Sequence, residues 1–381
     1  MKLYKLSDKS NIAALFQSLG VTREGSAILE QKAHLNFIYI KELKTPAANI
    51  LKQDALSIGA DLAVPKDTIT CKAPLVDAIL IANDKQLKEL ARKEKAQPFG
   101  LKEVASKLNE FCFTCKDDFA IMGIINTNED SFFQGSRFSG ELALKRIETM
   151  IDEGASIIDL GGVSSRPGSL SVSETEELVR VKPIIDLIYE HKLFQKARFS
   201  LDSYSPLCLE YALQRGFSIV NDITALANDG VARVAAKYDA TVVLMHMQGE
   251  PSSMQHEPQY DNVVLEVDDF FKERIEKAKN FGITQIVLDV GIGFGKNLEH
   301  NLSLLKHHEH FLHFGYPLLF GASRKSMIDK IIPTPIAERL AGSLALHLKA
   351  YEHGATILRV HDVKEHMQAL SVLRALNQTT L

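Results

Sequence analysis

Cysteine is scarce in this chain: four thiols among 381 residues cannot build the disulfide framework of a small secreted fold. Long apolar runs are missing as well. None approaches the roughly 18 residues that a membrane-spanning helix needs. The first ten residues, M-K-L-Y-K-L-S-D-K-S, show neither the apolar core nor the cleavage site of a signal peptide. Nor is there an excess of positive charge. With 44 Lys and Arg against 48 Asp and Glu the net charge is −4, and no basic stripe is present of the kind that neutralises nucleic-acid phosphates. These absences predict a cytoplasmic protein that binds neither nucleic acid nor membrane. A composition 45% hydrophobic and 24% charged suits one large globular domain or two.

Two clusters invite a metal reading and do not carry it. Cys112 and Cys115 form a C-F-T-C pair without a second pair or spaced histidines, so buried thiols are expected. The run His307, His308, His310, His313 is expected on an exposed helix, with no carboxylate or cysteine at ligand spacing.

The most informative stretch is L-D-V-G-I-G-F-G-K-N, residues 288–297. The apolar run Ile286-Val287-Leu288 reads as a buried strand that ends abruptly in Asp289. Alternating Gly291, Gly293 and Gly295 let the backbone turn tightly and pass close to a ligand, and Lys296 follows. The Walker A pattern would need a glycine at Val290 and a Ser or Thr at Asn297, and the G-x-G-x-x-G spacing is missed too.

Residues 1–115 read as a small α/β unit, with strands over Leu35–Tyr39 and Ala78–Ala82 and helices over Leu87–Lys95 and Leu101–Phe111. Asn83 or Asp84 caps the first of these helices. No catalytic constellation is visible there. From residue 116 to 381 the pattern becomes strand, polar loop, helix, repeated. Strands are expected at 119–126, 156–161, 198–202, 218–222, 241–246, 285–289, 317–322 and 356–360. Eight such units in roughly 255 residues match a (β/α)8 TIM barrel, which places this chain in the α/β class with an extra N-terminal domain.

Polar residues stand at the C-terminal ends of most of these strands: Asn126, Asp159, Asp202, Asn221, Asp289, Ser323-Arg324-Lys325 and Arg359-Val360-His361. Barrel enzymes gather their catalytic groups at that face. Asp202, Asn221 and Asp289 offer planar donors and acceptors that suit a flat nitrogen heterocycle, because unpaired polar edges are costly to bury. Arg166, Arg324, Lys325, Arg359 and His361 supply positive charge, four of them after the last two strands, where barrels hold phosphate. The loops at 123–133 and 161–169 are long, polar and glycine-bearing, as lids over a barrel mouth are.

Over about 119–375 the chain resembles the dihydropteroate synthases. Separated motifs occur in family order: M-G-I-I-N with D-S-F, I-I-D-L-G-G with S-R-P-G, S-L-D-S, V-N-D-I, L-M-H-M-Q-G-E-P, L-D-V-G-I-G-F-G-K-N, G-A-S-R-K-S and I-L-R-V-H-D-V. The first third lies outside the resemblance. The likeness implies a transferase of folate biosynthesis, a sulfonamide target, that joins 4-aminobenzoate to the diphosphate ester of 6-hydroxymethyl-7,8-dihydropterin. It implies that Asp202, Asn221, Asp289 and Lys325 hold the pterin edge while Arg359 packs on the ring. Asn126 would ligate Mg2+. Ser165, Arg359, Val360 and His361 would line the diphosphate site. Arg166, Pro167, Phe132, Phe294 and Ser323 would shape the aminobenzoate pocket. Lys325, Asp289, Asp202 and Arg166 are the catalytic set under this likeness, and a homodimer through the late barrel helices is implied.

The chain departs from the family pattern in places. Thr127-Asn128-Glu129 stands where V-T-P is usual, which removes a proline and adds a charge near the metal position. Ser165 replaces a threonine, Val163 a glutamate and Val290 a proline. Two competing readings are a pterin-binding methyltetrahydrofolate-type methyltransferase and a non-catalytic pterin-binding paralogue. The first would not need the S-R-P-G and G-A-S-R-K segments. The second is expected to lose its buried polar residues early.

Overall fold

The computed structural model describes residues 1–381 except 2, 5, 8–9, 113–118, 128–136, 164–171, 250–253 and 380–381, together with the side chains of 137–139. The chain divides into two compact units, one of Met1–Thr114 with Leu373–Leu381 and one of Cys115–Val372.

The first unit runs α1 (Ile12–Ser18), α2 (Arg23–Ala33), β1 (Leu35–Lys44), α3 (Thr45–Ser57), β2 (Asp61–Ala63), β3 (Leu75–Asn83), α4 (Asp84–Glu94) and α5 (Leu101–Glu110). Its sheet has the order β1-β3-β2 with antiparallel pairing. Alternation along β3 sends Val76, Ala78, Leu80 and Ala82 into one core with Leu51 of α3, Leu87 and Leu90 of α4 and Leu101 of α5. Asn83 and Gln86 form a reciprocal capping box that starts α4. The strands and helices expected from sequence are present, and α1, α2, α3 and β2 are additional.

The second unit follows the order β4 (Ala120–Asn126), α6 (Arg137–Asp152), β5 (Ile157–Gly161), α7 (Glu174–Glu190), β6 (Arg198–Asp202), α8 (Pro206–Leu213), β7 (Ile219–Asp222) and α9 (Asp229–Lys237). It continues with β8 (Thr241–Met245), α10 (Val263–Asn280), β9 (Ile286–Asp289), α11 (Leu298–Lys306), β10 (Leu318–Phe320), α12 (Ser326–Ile331), α13 (Leu340–Glu352), β11 (Ile357–Val360) and α14 (Val363–Gln378). The eight strands β4 to β11 pair in parallel, and β11 pairs with β4 to close them into a TIM barrel. Among the described residues no helix is long and apolar enough to cross a membrane.

Side chains repeat every second residue along a strand, and this period builds the barrel interior in layers. Met122, Ile157, Ile219, Val243, Val287, Leu319 and Ile357 form one buried apolar layer that plugs the barrel. Two residues further along four of these strands stand Asp159, Asn221, Asp289 and Arg359. The register sets Asn126 beside Gly161, Gly161 beside Asp202 and Asp202 beside Asn221, so the strand ends finish level. A polar layer therefore rests directly on an apolar floor.

The histidine run differs from the expected exposed helix. It forms a 3-10 turn over His308–Phe314, and His308 is fully buried. A carboxylate distant in sequence joins it: Asp268 of α10 lies 3.2 Å from His310 Nε2 and 2.5 Å from both His313 Nε2 and Lys272 Nζ. Spacing along the chain could not show this partner, because it arrives from another helix. Cys112 is half-buried and Cys115 lies outside the described residues.

Candidate active site

The polar layer is organised around Arg359. Its Nε donates to Asp159 Oδ2 at 2.7 Å and its Nη2 to Asp202 Oδ2 at 2.8 Å. Asn221 Nδ2 donates to the same Asp159 oxygen at 3.1 Å. Two carboxylates thus fix one planar guanidinium from β11 against β5 and β6. Burial lowers the Arg359 pKa and the charges of Asp159 and Asp202 raise it, and the carboxylates win. The other Asp159 oxygen is buried without a hydrogen-bond partner. Asp202 carries a cost. Burial raises its carboxyl to about 7, against the opposing pull of Arg359, because Asp159, Glu177 and Asp222 add like charge.

Asp222, the residue after Asn221, secures the β7 end. Its carboxylate accepts from Thr224 N and Thr224 Oγ1 at 2.7 Å each and from Leu226 N at 2.8 Å. These bonds hold a turn in which Ala225 and Leu226 adopt positive φ, so Asn221 leaves the strand in a fixed direction.

Asp289 and Lys325 form the opposite side. Asp289 Oδ1 accepts from Gly291 N at 2.8 Å. Burial raises its pKa, opposed first by Lys325. Lys325 stands just before α12, its Nζ hydrogen-bonds the Ile292 carbonyl and lies 4.6 Å from the Phe294 ring centroid. Burial lowers its pKa to about 8, although Asp289 pulls the other way.

The glycine turn is as tight as expected, with Gly291, Gly293 and Gly295 all at positive φ, and its close approach is to protein backbone. A Cβ on Gly291 would lie 1.9 Å from His246 O, and one on Gly295 would lie 2.3 Å from Gln248 O. Glycine is required at 291 and 295 by the backbone of the β8 loop. Lys296 turns inward beneath it and is fully buried, with Nζ 2.9 Å from Phe294 O, 3.0 Å from Gly291 O, 3.2 Å from His246 O and 2.9 Å from His246 Nδ1. It braces the turn that carries Asp289 and Phe294.

The β10 and β11 loops meet at Ser323, whose Oγ accepts from His361 N at 3.2 Å and lies 2.9 Å from His361 Nδ1. Arg324 does not face the mouth. It forms a forked pair with Asp362 at 3.0 and 2.5 Å. Val360 also differs: its side chain packs with Leu358 and Val363 in the layer between strands and helices, which leaves only its main chain for the mouth. Asn126 is half-buried at the end of β4. A Cβ on Gly161 would lie 3.2 Å from Asn126 Oδ1 and 3.9 Å from Asp202 Oδ2, so glycine leaves room between the two. Ser165, Arg166, Pro167 and Phe132 lie outside the described residues.

The structure brings Asp202, Asn221, Asp289, Lys325 and Arg359 to one rim. Sequence reading placed Asp159 at a strand end but gave it no role; the carboxylate in I-I-D-L-G-G was the available signal. Lys296, Asp222 and His246 were not singled out as supports.

The profile of the family described as "Pterin binding enzyme" matches residues 122–361. The chain is 41% identical over 365 residues to the "Bifunctional dihydropteroate synthase/dihydropteroate reductase" of Helicobacter pylori, covering 95% of this chain and 96% of that protein. It is 44% identical over 258 residues to the dihydropteroate synthase of Escherichia coli, covering 67% of this chain and 90% of that one. Among solved structures, the Yersinia pestis dihydropteroate synthase with a sulfonamide drug complex superposes with a TM-score of 0.65 at 38% identity, over 70% of this chain and 99% of that one. The Xanthomonas albilineans dihydropteroate synthase in complex with 7,8-dihydropteroate gives a TM-score of 0.61 at 34% identity, over 69% and 95%.

Proposed function

The chain belongs to the dihydropteroate synthases, which join 4-aminobenzoate to (7,8-dihydropterin-6-yl)methyl diphosphate and release diphosphate, and we propose how its own residues divide that work. One observation carries the reading: two acids, an amide and an arginine from four strands and a lysine from the loop after a fifth meet above an apolar floor. Asp202, Asn221, Asp289 and Lys325 pair with the donors and acceptors along the pterin edge. Arg359, clamped in plane by Asp159 and Asp202, offers its flat face to the ring. The unpaired Asp159 oxygen is a further acceptor for ring N–H groups.

When the C–O bond to diphosphate breaks, positive charge develops on the methylene carbon and spreads into the electron-rich ring. Asp289 and Asp202 favour that charge. Arg359, His361 and Ser323 take up the negative charge on the leaving group. The amine of 4-aminobenzoate then forms the C–N bond and loses a proton. It is already a nucleophile, so positioning by Phe294, Ser323, Phe132, Arg166 and Pro167 matters more than a dedicated base. Ser165 contributes a hydroxyl to the diphosphate. Asn126 supplies a neutral amide oxygen across Gly161 from Asp202, a hard donor that suits Mg2+. Bound Mg2+ would neutralise charge on the diphosphate. The family likeness also leads us to a homodimer through the late barrel helices, which sedimentation would test.

The test is an assay of purified protein with both substrates, with and without Mg2+. Dihydropteroate formation that depends on the metal supports the reading; no product at saturating substrates refutes it.

A second activity is favoured by coverage. The match to the H. pylori relative spans the N-terminal unit, whereas the match to the E. coli enzyme leaves it out. We place in residues 1–115 a reductase step of the kind named for the H. pylori protein, a hydride and a proton added to a C=N bond of dihydropteroate. Tetrahydropteroate formed with NADPH by the full chain, and lost with the barrel still active when residues 1–115 are deleted, would support it; no reduction by the full chain would count against it.

A further inference from the structure

Three buried polar side chains on one helix take no part in the site described above. Arg339, at the N-terminal boundary of α13, Ser343 and His347 follow at intervals of four residues and so form one stripe. Burying such a stripe is costly unless every group is bonded. All three bond the backbone of one short loop, the one after β10. Ala322 N donates to His347 Nε2 at 3.0 Å, Arg324 N donates to Ser343 Oγ at 2.8 Å, and Arg339 Nη1 donates to Arg324 O at 3.3 Å. Ser323 stands between these anchors and Lys325 follows them.

The line continues to the next loop. His347 Nδ1 lies 2.8 Å from His366 Nε2 on α14, and His366 Nδ1 lies 2.6 Å from Asp362 O. An amide N–H only donates and a carbonyl only accepts, so both ends of this line are fixed. His347 Nε2 must then be bare and its Nδ1 protonated; His366 Nε2 must accept and its Nδ1 must donate. The line is complete only when both rings are neutral with the proton on Nδ1. A second proton on His347 would oppose the Ala322 amide, and one on His366 would oppose His347.

The surroundings favour that state. Burial lowers the His347 pKa well below its ordinary value, helped by His366 and by Lys325 and His361 from the two loops. Burial also lowers that of His366, against the pull of the Asp362 carbonyl and the charges of Asp362 and Glu365. Phe320 closes the apolar side, edge-on to His347 at 5.9 Å. Asp362 holds Arg324, and Ser323 holds His361, so the relay links two loops that already touch.

We propose that His347 and His366, with Ser343 and Arg339, are positioning residues: a tautomer-locked relay that holds the β10 and β11 loops in mutual register, so that Ser323, Lys325 and His361 meet the diphosphate-bearing substrate together. The proposal rests on the assignment of those three residues to the substrate site.

Two measurements on the full chain test it. In the first, nitrogen-15 spectra of labelled histidine are assigned with His347→Gln and His366→Gln. Both rings are expected neutral with the proton on Nδ1 from pH 6 to 8, as the relay demands. A ring with its proton on Nε2, or a doubly protonated ring at pH 7, overturns the relay whatever the substrate proves to be. The second compares His347→Gln, whose side-chain oxygen can accept from Ala322 N, with His347→Leu, which cannot. The Leu variant is expected to raise KM for the pterin diphosphate by about tenfold to a hundredfold, the cost of a slightly misplaced binding loop. Its kcat should change less, and the Gln variant should recover most of the loss. Melting temperatures record folding separately. A Leu variant with lower melting temperature and wild-type KM overturns the positioning role. A wild-type chain that makes no dihydropteroate counts against the substrate reading, and the spectra still decide the relay.

Discussion

Replacing Lys296 by methionine would test whether the glycine turn is braced from inside. Methionine keeps the length of the side chain and removes every donor. The carbonyl oxygens of Phe294 and His246 then lose this partner, while that of Gly291 keeps the bond from Phe294 N. Each buried acceptor left unpaired costs about 1–3 kcal/mol, and partial relaxation brings the expected total for the two to about 2–4 kcal/mol. Set against a whole-protein stability of about 5–15 kcal/mol, that is a large loss. Urea unfolding should show a lower midpoint at unchanged slope. The turn carries Asp289, Phe294 and the Ile292 carbonyl that holds Lys325, so KM for the pterin diphosphate should rise with it. Burial holds the Lys296 pKa well below its ordinary value, despite Asp289. The unfolded chain therefore binds more protons, and wild-type stability rises with pH up to about 10.4, a slope that should be shallower in the variant, where Lys325 still contributes. An unfolding midpoint and KM both equal to wild type would refute the brace.

Three other expectations follow from the same geometry. Lys325→Ala should leave the fold intact and lower kcat/KM by about a hundredfold to a thousandfold, as removal of one preorganised donor does; a rate near wild type would take Lys325 out of the site. The free enzyme should show a bell-shaped kcat/KM between the Asp202 carboxyl at about 7, which must be ionised, and the Lys325 ammonium at about 8, which must be charged. Activity should fall with acid below the first and with base above the second, and Asp202→Asn should shift the acid limb, leaving the part set by buried Asp289. At Asp268, burial pushes the carboxyl up but hydrogen bonds from His310, His313 and Lys272 outweigh it and hold it below the usual range. Its contribution is present above the unfolded value of about 3.9 and is lost as pH falls below it, so Asp268→Asn should cost about 2–4 kcal/mol at pH 7 and flatten that acid dependence in urea unfolding.

The barrel was legible because each strand is a short apolar run that stops at a polar residue, and the observed ends fall within a residue or two of those expected. The gathering of Asp202, Asn221, Asp289, Lys325 and Arg359 at one rim followed from the same pattern. What could not be read was direction and partnership. Arg359 and Asp159 are 200 positions apart, and only barrel closure makes them neighbours. Lys296 looked like a residue beside a ligand loop, yet its side chain turns under the loop. Asp268 is 42 positions from His310, so a histidine run judged by local spacing lacked its carboxylate. In the first unit, α3 begins directly where β1 ends, with Pro46 in its first turn and no side-chain cap, so the usual start signal is weak.

The apolar layer under the site makes the barrel a well with one opening. Whatever sits deepest has to arrive before the lid of later ligands and leave after them. A flat ring resting on Ile157, Ile219, Val287 and Ile357 would be shut in by the amine donor above it. If the pterin takes that place, turnover in such a vessel would be a queue, with the pterin entering before the amine that covers it.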